Sequence, residues 1–410
     1  MLEITKMAWR NMWRNWRRTV IAMVAIVLGL ILLILMDGFI KGSDQAIYGN
    51  AVRLYGGNIQ IHATGFRANA SRLPLLPVDN ADKVVEIAMT HPEVLLAYKR
   101  INTGGMVNER GESYPVTITG IQPSAEAPIS LIAENIVVGR FLQNSDEDSI
   151  LIGKGLADVL EVGLGDRITL TGKRKDETMR QRTMTIIGIF DLGLREAEKS
   201  MVFINLAEAQ SLFNLRDQET EVTISMQTVG NENQVIGELQ ADLQDYEVDS
   251  WETLKPEIRE TIDMKSQFTT VIGLVVVMIA CIGILNLMMM AVFERTREMG
   301  VLAALGMKDR QIMGLFLLEG AMIGVAGAAA GCFLGWLVLL AINQAGGIQF
   351  STAAEMGDMV ALMGDHLYAS TNPVHILRFG VIVAVMATLA SLFPAWQASR
   401  KEPAETLHHV

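Results

Sequence analysis

The sequence predicts an α-helical membrane protein with four transmembrane helices plus an α+β domain outside the cytoplasm, between the first helix and the second. Three observations predict it. Half of the 410 residues are apolar, and the longest apolar runs fall near the start and in the final third. The middle reads as an ordinary soluble sequence, mixing strand-period and helix-period patterns. Lys and Arg gather in the segments that flank alternate ends of the apolar runs.

The runs come first. A hydrocarbon core about 30 Å thick takes roughly 20 helical residues to cross. Four segments qualify, 19–40, 268–293, 312–342 and 376–396, and none carries a charge at its centre. Asp37 and Glu319 lie near segment ends. The first run follows a basic stretch, as a secretory signal does. Its apolar part is long and no small-x-small cleavage site follows, so an uncleaved anchor is expected. Arg17-Arg18 is too little for a twin-arginine signal. Cys281 and Cys332 fall inside spans and are expected to pack as small hydrophobes. The middle has no cysteine, which excludes a disulfide framework and a thiolate metal site there.

Orientation follows from the loops, because basic residues concentrate on the cytoplasmic side. Lys6, Arg10, Arg14, Arg17 and Arg18 precede the first span. Arg295, Arg297, Lys308 and Arg310 join the second to the third, and Arg400 and Lys401 follow the fourth. Between Gln311 and Leu377 there is no Lys or Arg. Both termini and the 294–311 loop are therefore expected inside, and residues 41–267 and 343–375 outside. The 397–410 tail is expected to be cytoplasmic.

Within residues 1–18, Trp9, Trp13 and Trp16 recur at helical spacing, with Arg10, Arg14 and Arg17 one step behind. A helix places indoles beside a basic face, the pattern of a helix lying in the membrane interface.

The outer domain, 41–267, carries 22 basic and 34 acidic residues. That balance excludes nucleic acid as its partner, since phosphate binding needs a basic footprint. Alternation predicts strands at 58–63, 115–121, 150–152, 167–170, 183–189 and 222–226. Helical spacing predicts helices at 80–90, 155–160, 206–213 and 232–243. An α+β domain follows, in two lobes of about 50–122 with 220–250, and 123–219. From 251 the pattern turns helical, Pro256 suits a first helical turn, and the helix is expected to run on into the second span. Unbroken to Phe293 it would be roughly 55 Å long.

No catalytic constellation appears. The sequence has no HExxH, no GxSxG and no histidine cluster, and His62 and His91, being isolated, are expected at the surface. The acidic run Asp146, Glu147 and Asp148 is expected to be a solvated loop. No metal or cofactor is expected in this chain.

The third span holds Gly327, Gly331 and Gly335, with Gly320 and Gly324 before them in similar register. Such a stripe lets two helix backbones approach closely, within this chain or against a partner. The loop after the second span reads Glu294-Arg295-Thr296-Arg297-Glu298-Met299-Gly300-Val301-Leu302-Ala303-Ala304-Leu305-Gly306. This is a short amphipathic helix ended by glycine, with apolar residues that a plain connector has no reason to expose.

That loop resembles the coupling helix of the MacB/FtsX-type ABC permeases, whose pattern is ER-x-R-E-hydrophobic-G-x-hydrophobic-x-A-hydrophobic-G. The tail Pro394-Ala395 to Leu407 resembles the family's closing P-A-x-x-A-x-x-x-x-P-x-x-x-L. Gly139-Arg140, the run Ile150 to Ala157 and Gly165-Asp166 are similar to patterns of its outer domain. The wording Gly153-Lys154-Gly155-Leu156-Ala157 is closest to the lipoprotein-releasing LolC/LolE branch. The resemblance covers essentially the whole chain. It implies a type VII mechanotransmitting architecture in the bacterial inner membrane. Two permeases, identical or sibling, pair above two ABC ATPase subunits, and a periplasmic adaptor or acceptor is a further implied partner. The ATPase-coupling residues would be Glu294, Arg295, Arg297, Glu298, Gly300, Val301, Leu302, Leu305 and Gly306. No GxxxxGK[ST] occurs here, so ATP and Mg belong to a partner subunit. By analogy with that branch, Leu32, Met36, Phe39, Phe268, Ile272 and Val275 would face a lipoprotein or other hydrophobic cargo beside membrane lipids. An alternative is an FtsX-like permease that transports nothing and activates a cell-wall hydrolase. FtsX proteins usually have a smaller outer domain, which favours the transporter.

Overall fold

In the computed structural model the described residues are 2–14, 16–227, 232–254, 256–294, 298, 301, 306–349, 363 and 366–399. The chain divides into two compact units, one of residues 1–43, 262–348 and 367–410, the other of 44–261 and 349–366.

The first unit is helical. A helix Leu2–Arg14 is followed by the first spanning helix, Trp16–Tyr55. The second runs Pro256–Glu294 and the third Asp309–Gln344. The fourth is Pro373–Ala390, with Leu392–Ser399 after a break at Ser391. All four are long and apolar enough to cross a bilayer. Asn372 caps the fourth, its side chain accepting from the Val374 N–H at 3.0 Å, with Pro373 at the first helical position. The segment before it is fixed by Asn343, whose amide donates to the Ala369 carbonyl at 2.8 Å and accepts its N–H at 2.9 Å. The Ser370 N–H donates to the Gly38 carbonyl at 2.8 Å.

The second unit is built on ten strands. These are β1 Ile59–Ala63, β2 Val94–Glu109, β3 Glu112–Ile121, β4 Ile136–Gly139, β5 Ser149–Gly153, β6 Arg167–Lys173, β7 Met179–Phe190, β8 Met201–Asn205, β9 Glu221–Met226 and β10 Tyr246–Ser250. The sheet order is β10-β1-β9-β2-β3-β8-β5-β7-β4, and β6 pairs with both β2 and β7. Those last pairings close β2, β3, β8, β5, β7 and β6 into a ring. Closure leaves no unpaired edge within that ring and points alternate residues inward. The interior holds Val107, Val116, Ile118, Ile150, Ile152, Ile168, Leu170, Met184, Ile186, Val202 and Ile204 at period two. Helices Lys154–Leu160 and Leu206–Phe213 pack onto it through Leu156, Leu160, Leu212 and Phe213. Gly105, where β2 takes up β6, has no room for a side chain: a Cβ would stand 2.2 Å from the Ile118 methyl and 2.8 Å from the Thr171 carbonyl oxygen.

The second core lies on the other half of the sheet. Helices Ala81–Met89 and Glu232–Asp242 bring Val84, Ala88, Val235 and Leu239 onto Ile59, Ile61, Val222, Ile224 and Val248. The expected split at residue 122 therefore moves. β3 and the C-terminal half of β2 belong to the closed ring, because β2 is long enough to serve both cores.

The opposite face of β10-β1-β9-β2 is polar yet buried. The register aligns Glu247, His62, Glu221 and Arg100 in one row across the four strands. Arg100 continues the row to Glu126, donating from Nε at 3.0 Å and also from Nη2. Both are almost wholly buried. Burial alone would lower the Arg100 pKa, but the charges of Glu126 and Tyr98 outweigh it and hold it raised. Burial pushes the neighbouring Tyr98 up to about 12. Gly56 carries a φ of +100°, and a Cβ there would stand 2.3 Å from Arg100 Nη1. His62 is fully buried, not at the surface. It stacks on Phe66 with ring centroids 3.6 Å apart, and its Nε2 lies 3.4 Å from Glu221 Oε2. Lone spacing in sequence does not show that two flanking strands will cover a residue. His91 is also partly covered, with Nδ1 3.5 Å from Glu238. The acidic loop at 146–148 is held by arginines. Arg140 donates to both Asp146 oxygens at 2.7 Å, and Arg182 donates to Asp148 at 2.5 Å. The Arg140 hydrogen bond keeps the Asp146 carboxyl below the usual carboxylate range.

Candidate functional site

The loop between the second and third spans is the candidate site, and its two ends are fastened together. Val292, fully buried near the end of the second spanning helix, packs with Ile312 and Phe316 at the start of the third and with Ala395 of the last helix. Met307 and Met313 lean on the same cluster. The third helix starts abruptly. The Lys308 N–H donates to Gln311 Oε1 at 2.9 Å, and the Gln311 N–H donates back to the Lys308 carbonyl at 2.7 Å. This satisfies donors that a helix start leaves open. Gly306 sits just ahead with a φ of +91°, a left-handed conformation that suits glycine at the end of the preceding segment. The loop is thus a short span of chain between two anchored ends, and force applied to it passes into two spanning helices.

Of the expected coupling residues, Glu294 ends the second helix, Val301 is 46% exposed, and Glu298 is engaged. Arg14 Nη2 donates to both Glu298 oxygens, at 2.9 and 2.7 Å. The tryptophan and arginine spacing marks the Leu2–Arg14 helix, but nothing local in the sequence signals its bond to residue 298. Arg295, Arg297, Gly300, Leu302 and Leu305 lie outside the described residues, as does the tail from Arg400.

The glycine stripe finds its partners within the chain. A Cβ at Gly327 would stand 3.0 Å from Ile26, at Gly331 2.9 Å from Leu30, and at Gly335 2.9 Å from Ile34. Gly320 and Gly324 meet Ser391 and Ala387 of the fourth span in the same way. One glycine face of the third helix therefore seats the first span along part of its length and the fourth along the rest. Ile26, Leu30 and Ile34 join Ile323, Val383 and Ala387 in the main helical core.

The residues expected to face cargo divide. Leu32, Phe268 and Val275 are exposed. Met36, Phe39 and Ile272 are half-buried, and Phe39 packs against the helical core. The second span has only 13% of its apolar window buried, against 28% for each of the others. It therefore presents the widest apolar face to its surroundings. Among the described residues no group of three or more His, Cys, Asp and Glu is placed to hold a metal ion.

Comparison with known proteins covers both units. The model of the MacB-like periplasmic core domain matches residues 19–242, and that of the FtsX-like permease C-terminal matches 270–403. The chain is similar to the lipoprotein-releasing system transmembrane protein LolC of Xylella fastidiosa, at 25% identity over 95% of this chain and 93% of that one. It is similar to LolE of Haemophilus influenzae, at 23% identity over 98% of each. The pyoverdine export ATP-binding/permease protein PvdT of Pseudomonas aeruginosa is 26% identical over 87% of this chain and 54% of its own length.

Proposed function

This chain belongs to the permease family that joins a MacB-like periplasmic core domain to an FtsX-like permease region, and from that premise we propose that it is the transmembrane subunit of an ABC transport system driven by a separate ATPase. The observation that carries the reading is the 294–306 loop, with the family's coupling wording and both ends locked into one apolar cluster. ATP and Mg belong to two ATPase subunits beneath the loop, and the chain itself is not an enzyme. In this reading the protein sits in the bacterial inner membrane with both termini cytoplasmic. It pairs with a second permease, a copy or a sibling, through the wide apolar face of the second span. A periplasmic acceptor or adaptor is a further proposed partner, met by the outer domain.

The cargo we propose is a lipoprotein or similarly hydrophobic molecule, drawn from the outer leaflet. Two things support it. LolC and LolE carry lipoprotein release in their names and align over nearly the full chain. Leu32, Phe268 and Val275 are exposed on the first two spans, where acyl chains could lie among membrane lipids. Closure of the ATPases would push the loop, and the second helix would transmit that motion outward.

The test is purification of the tagged chain in nanodiscs, mass spectrometry of what accompanies it, and ATPase assay of the complex. An ABC ATPase and lipidated protein are expected to co-purify. Glu294→Lys or Gly300→Leu should cut cargo-stimulated ATPase by about tenfold, a loss of roughly 1.4 kcal/mol of transition-state coupling. The melting temperature of the outer domain should not move. Unchanged stimulation in both variants would sink the coupling assignment.

A further inference from the structure

Helix Leu2–Arg14 presents two chemistries to its surroundings. Ala8 is fully buried against the rest of the helical unit, while Trp9, Trp13 and Trp16 are each more than half exposed. Trp9 and Trp13 meet edge to face at 6.1 Å, forming one indole surface. The Arg17 guanidinium lies 5.8 Å from the Trp16 ring centroid, and Arg10 is exposed beside them. Exposed indoles next to guanidinium groups suit the headgroup layer, where indoles sit at the acyl boundary and arginines meet phosphate. The next cation on this helix, Arg14, instead reaches Glu298 in the candidate coupling loop, with Nη2 2.9 and 2.7 Å from the two carboxylate oxygens. This short helix and the first turn of the span that follows thus hold an indole-rich basic surface, and the helix's last residue makes a direct ionic link to residue 298.

We propose that the Leu2–Arg14 helix docks on anionic lipid headgroups and, through the Arg14–Glu298 pair, sets the position of the coupling loop, so that ATPase coupling depends on anionic lipid. Charge complementarity selects the occupant. The surface is basic and aromatic, and an anionic leaflet attracts such segments within a Debye length. In bulk water an exposed ion pair has little hold. At a headgroup layer, with the helix immobilised by its indoles, the same pair has one partner already fixed in place, and so loses less freedom on forming. This inference rests on the coupling reading above, and it gives Glu298 an intramolecular role rather than a contact with the ATPase.

The experiment uses the complex of this chain with its co-purified ATPase, in nanodiscs of phosphatidylcholine alone or with about 30 mol% phosphatidylglycerol. Stimulated ATPase is expected to be about threefold higher with the anionic lipid. Arg14→Glu and Glu298→Arg should each remove that increment, and the double charge reversal should restore it. Brominated phosphatidylglycerol should quench the wild-type chain more than a Trp9→Phe/Trp13→Phe variant, a readout that needs no ATPase. Equal stimulation in both lipids, no rescue by the double reversal, or equal quenching would each overturn the proposal alone. No stimulation in either lipid would overturn the coupling reading, and this inference with it.

Discussion

Substituting Arg100 with Met is expected to lower the stability of the second unit by about 3–5 kcal/mol, a large share of what a domain typically has. The reason is what remains behind. Arg100 and Glu126 are 4% and 1% exposed, and Arg100 donates to Glu126 from two nitrogens. Removing the guanidinium leaves the Glu126 carboxyl buried against the Gln122 N–H alone, at 3.3 Å. It also strips the row of its one permanent cation, leaving Glu221 facing Glu126 without an intervening charge. For a domain of this size the melting temperature should fall on the order of 10 °C. The Glu126→Gln variant should be milder, since the amide oxygen can still accept from Arg100 and Glu221 still faces the guanidinium. The double variant Arg100→Met/Glu126→Leu should recover most of the loss, because paired apolar replacements of a buried ion pair are often neutral. Urea unfolding of the three variants checks this. Additive losses in the double variant would show that the pair acts through something other than their mutual charge.

The same region shows where the sequence stops being legible. Strands β1, β3, β6, β7 and β9 announce themselves, because one face of each is apolar at period two, and β5 does so as a short apolar run closed by glycine. β2 does not. Its run Lys99-Arg100-Ile101-Asn102-Thr103-Gly104-Gly105 places charge on a buried face and glycine at the point of closest packing, so both usual signals fail. β10, reading Tyr-Glu-Val-Asp-Ser, hides for the same reason: Asp249 faces inward to meet Arg67 at 2.8 Å. β8 is uniformly apolar, and periodicity cannot tell such a run from a buried helix. The burial of His62 follows from that polar face and was equally hidden. Ring closure depends on β6 meeting β2 across some sixty residues, which no local pattern encodes. In the helical unit the reverse holds. Span length, apolar runs and the glycine stripe are set by a few residues at fixed spacing, and the bilayer enforces them. The coupling wording stands in the sequence as well, but Arg14 as the partner of Glu298 does not, since it depends on the end of the first helix meeting a loop 284 positions away.

Replacing Gly331 with Leu is expected to detach the first span from the third. The stripe works by absence of side chain. Leu30 already fills the space, with its Cδ2 2.9 Å and its Cβ 3.1 Å from where a Gly331 Cβ would stand. Gly327 and Gly335 hold Ile26 and Ile34 equally close, so the helices cannot shift locally to make room without losing the contacts on either side. Alanine at 331 has two opposing effects. Its methyl overlaps Leu30 slightly, and it gains about 1 kcal/mol of helix propensity over glycine. The two nearly cancel, and Gly331→Ala should stay within roughly 1 kcal/mol of the parent. Leucine adds three more carbons to the same gap with little further gain in propensity, and the overpacking should cost about 3 kcal/mol. Thermal unfolding in detergent, followed by size exclusion, separates the two cases. Leu30→Ala should recover roughly half of the Gly331→Leu loss while destabilising the parent when made alone, a sign reversal that only direct contact between the two positions produces. If Leu30→Ala instead adds to the Gly331→Leu loss, the stripe faces something other than the first span, and the helical core has to be drawn around a different pair.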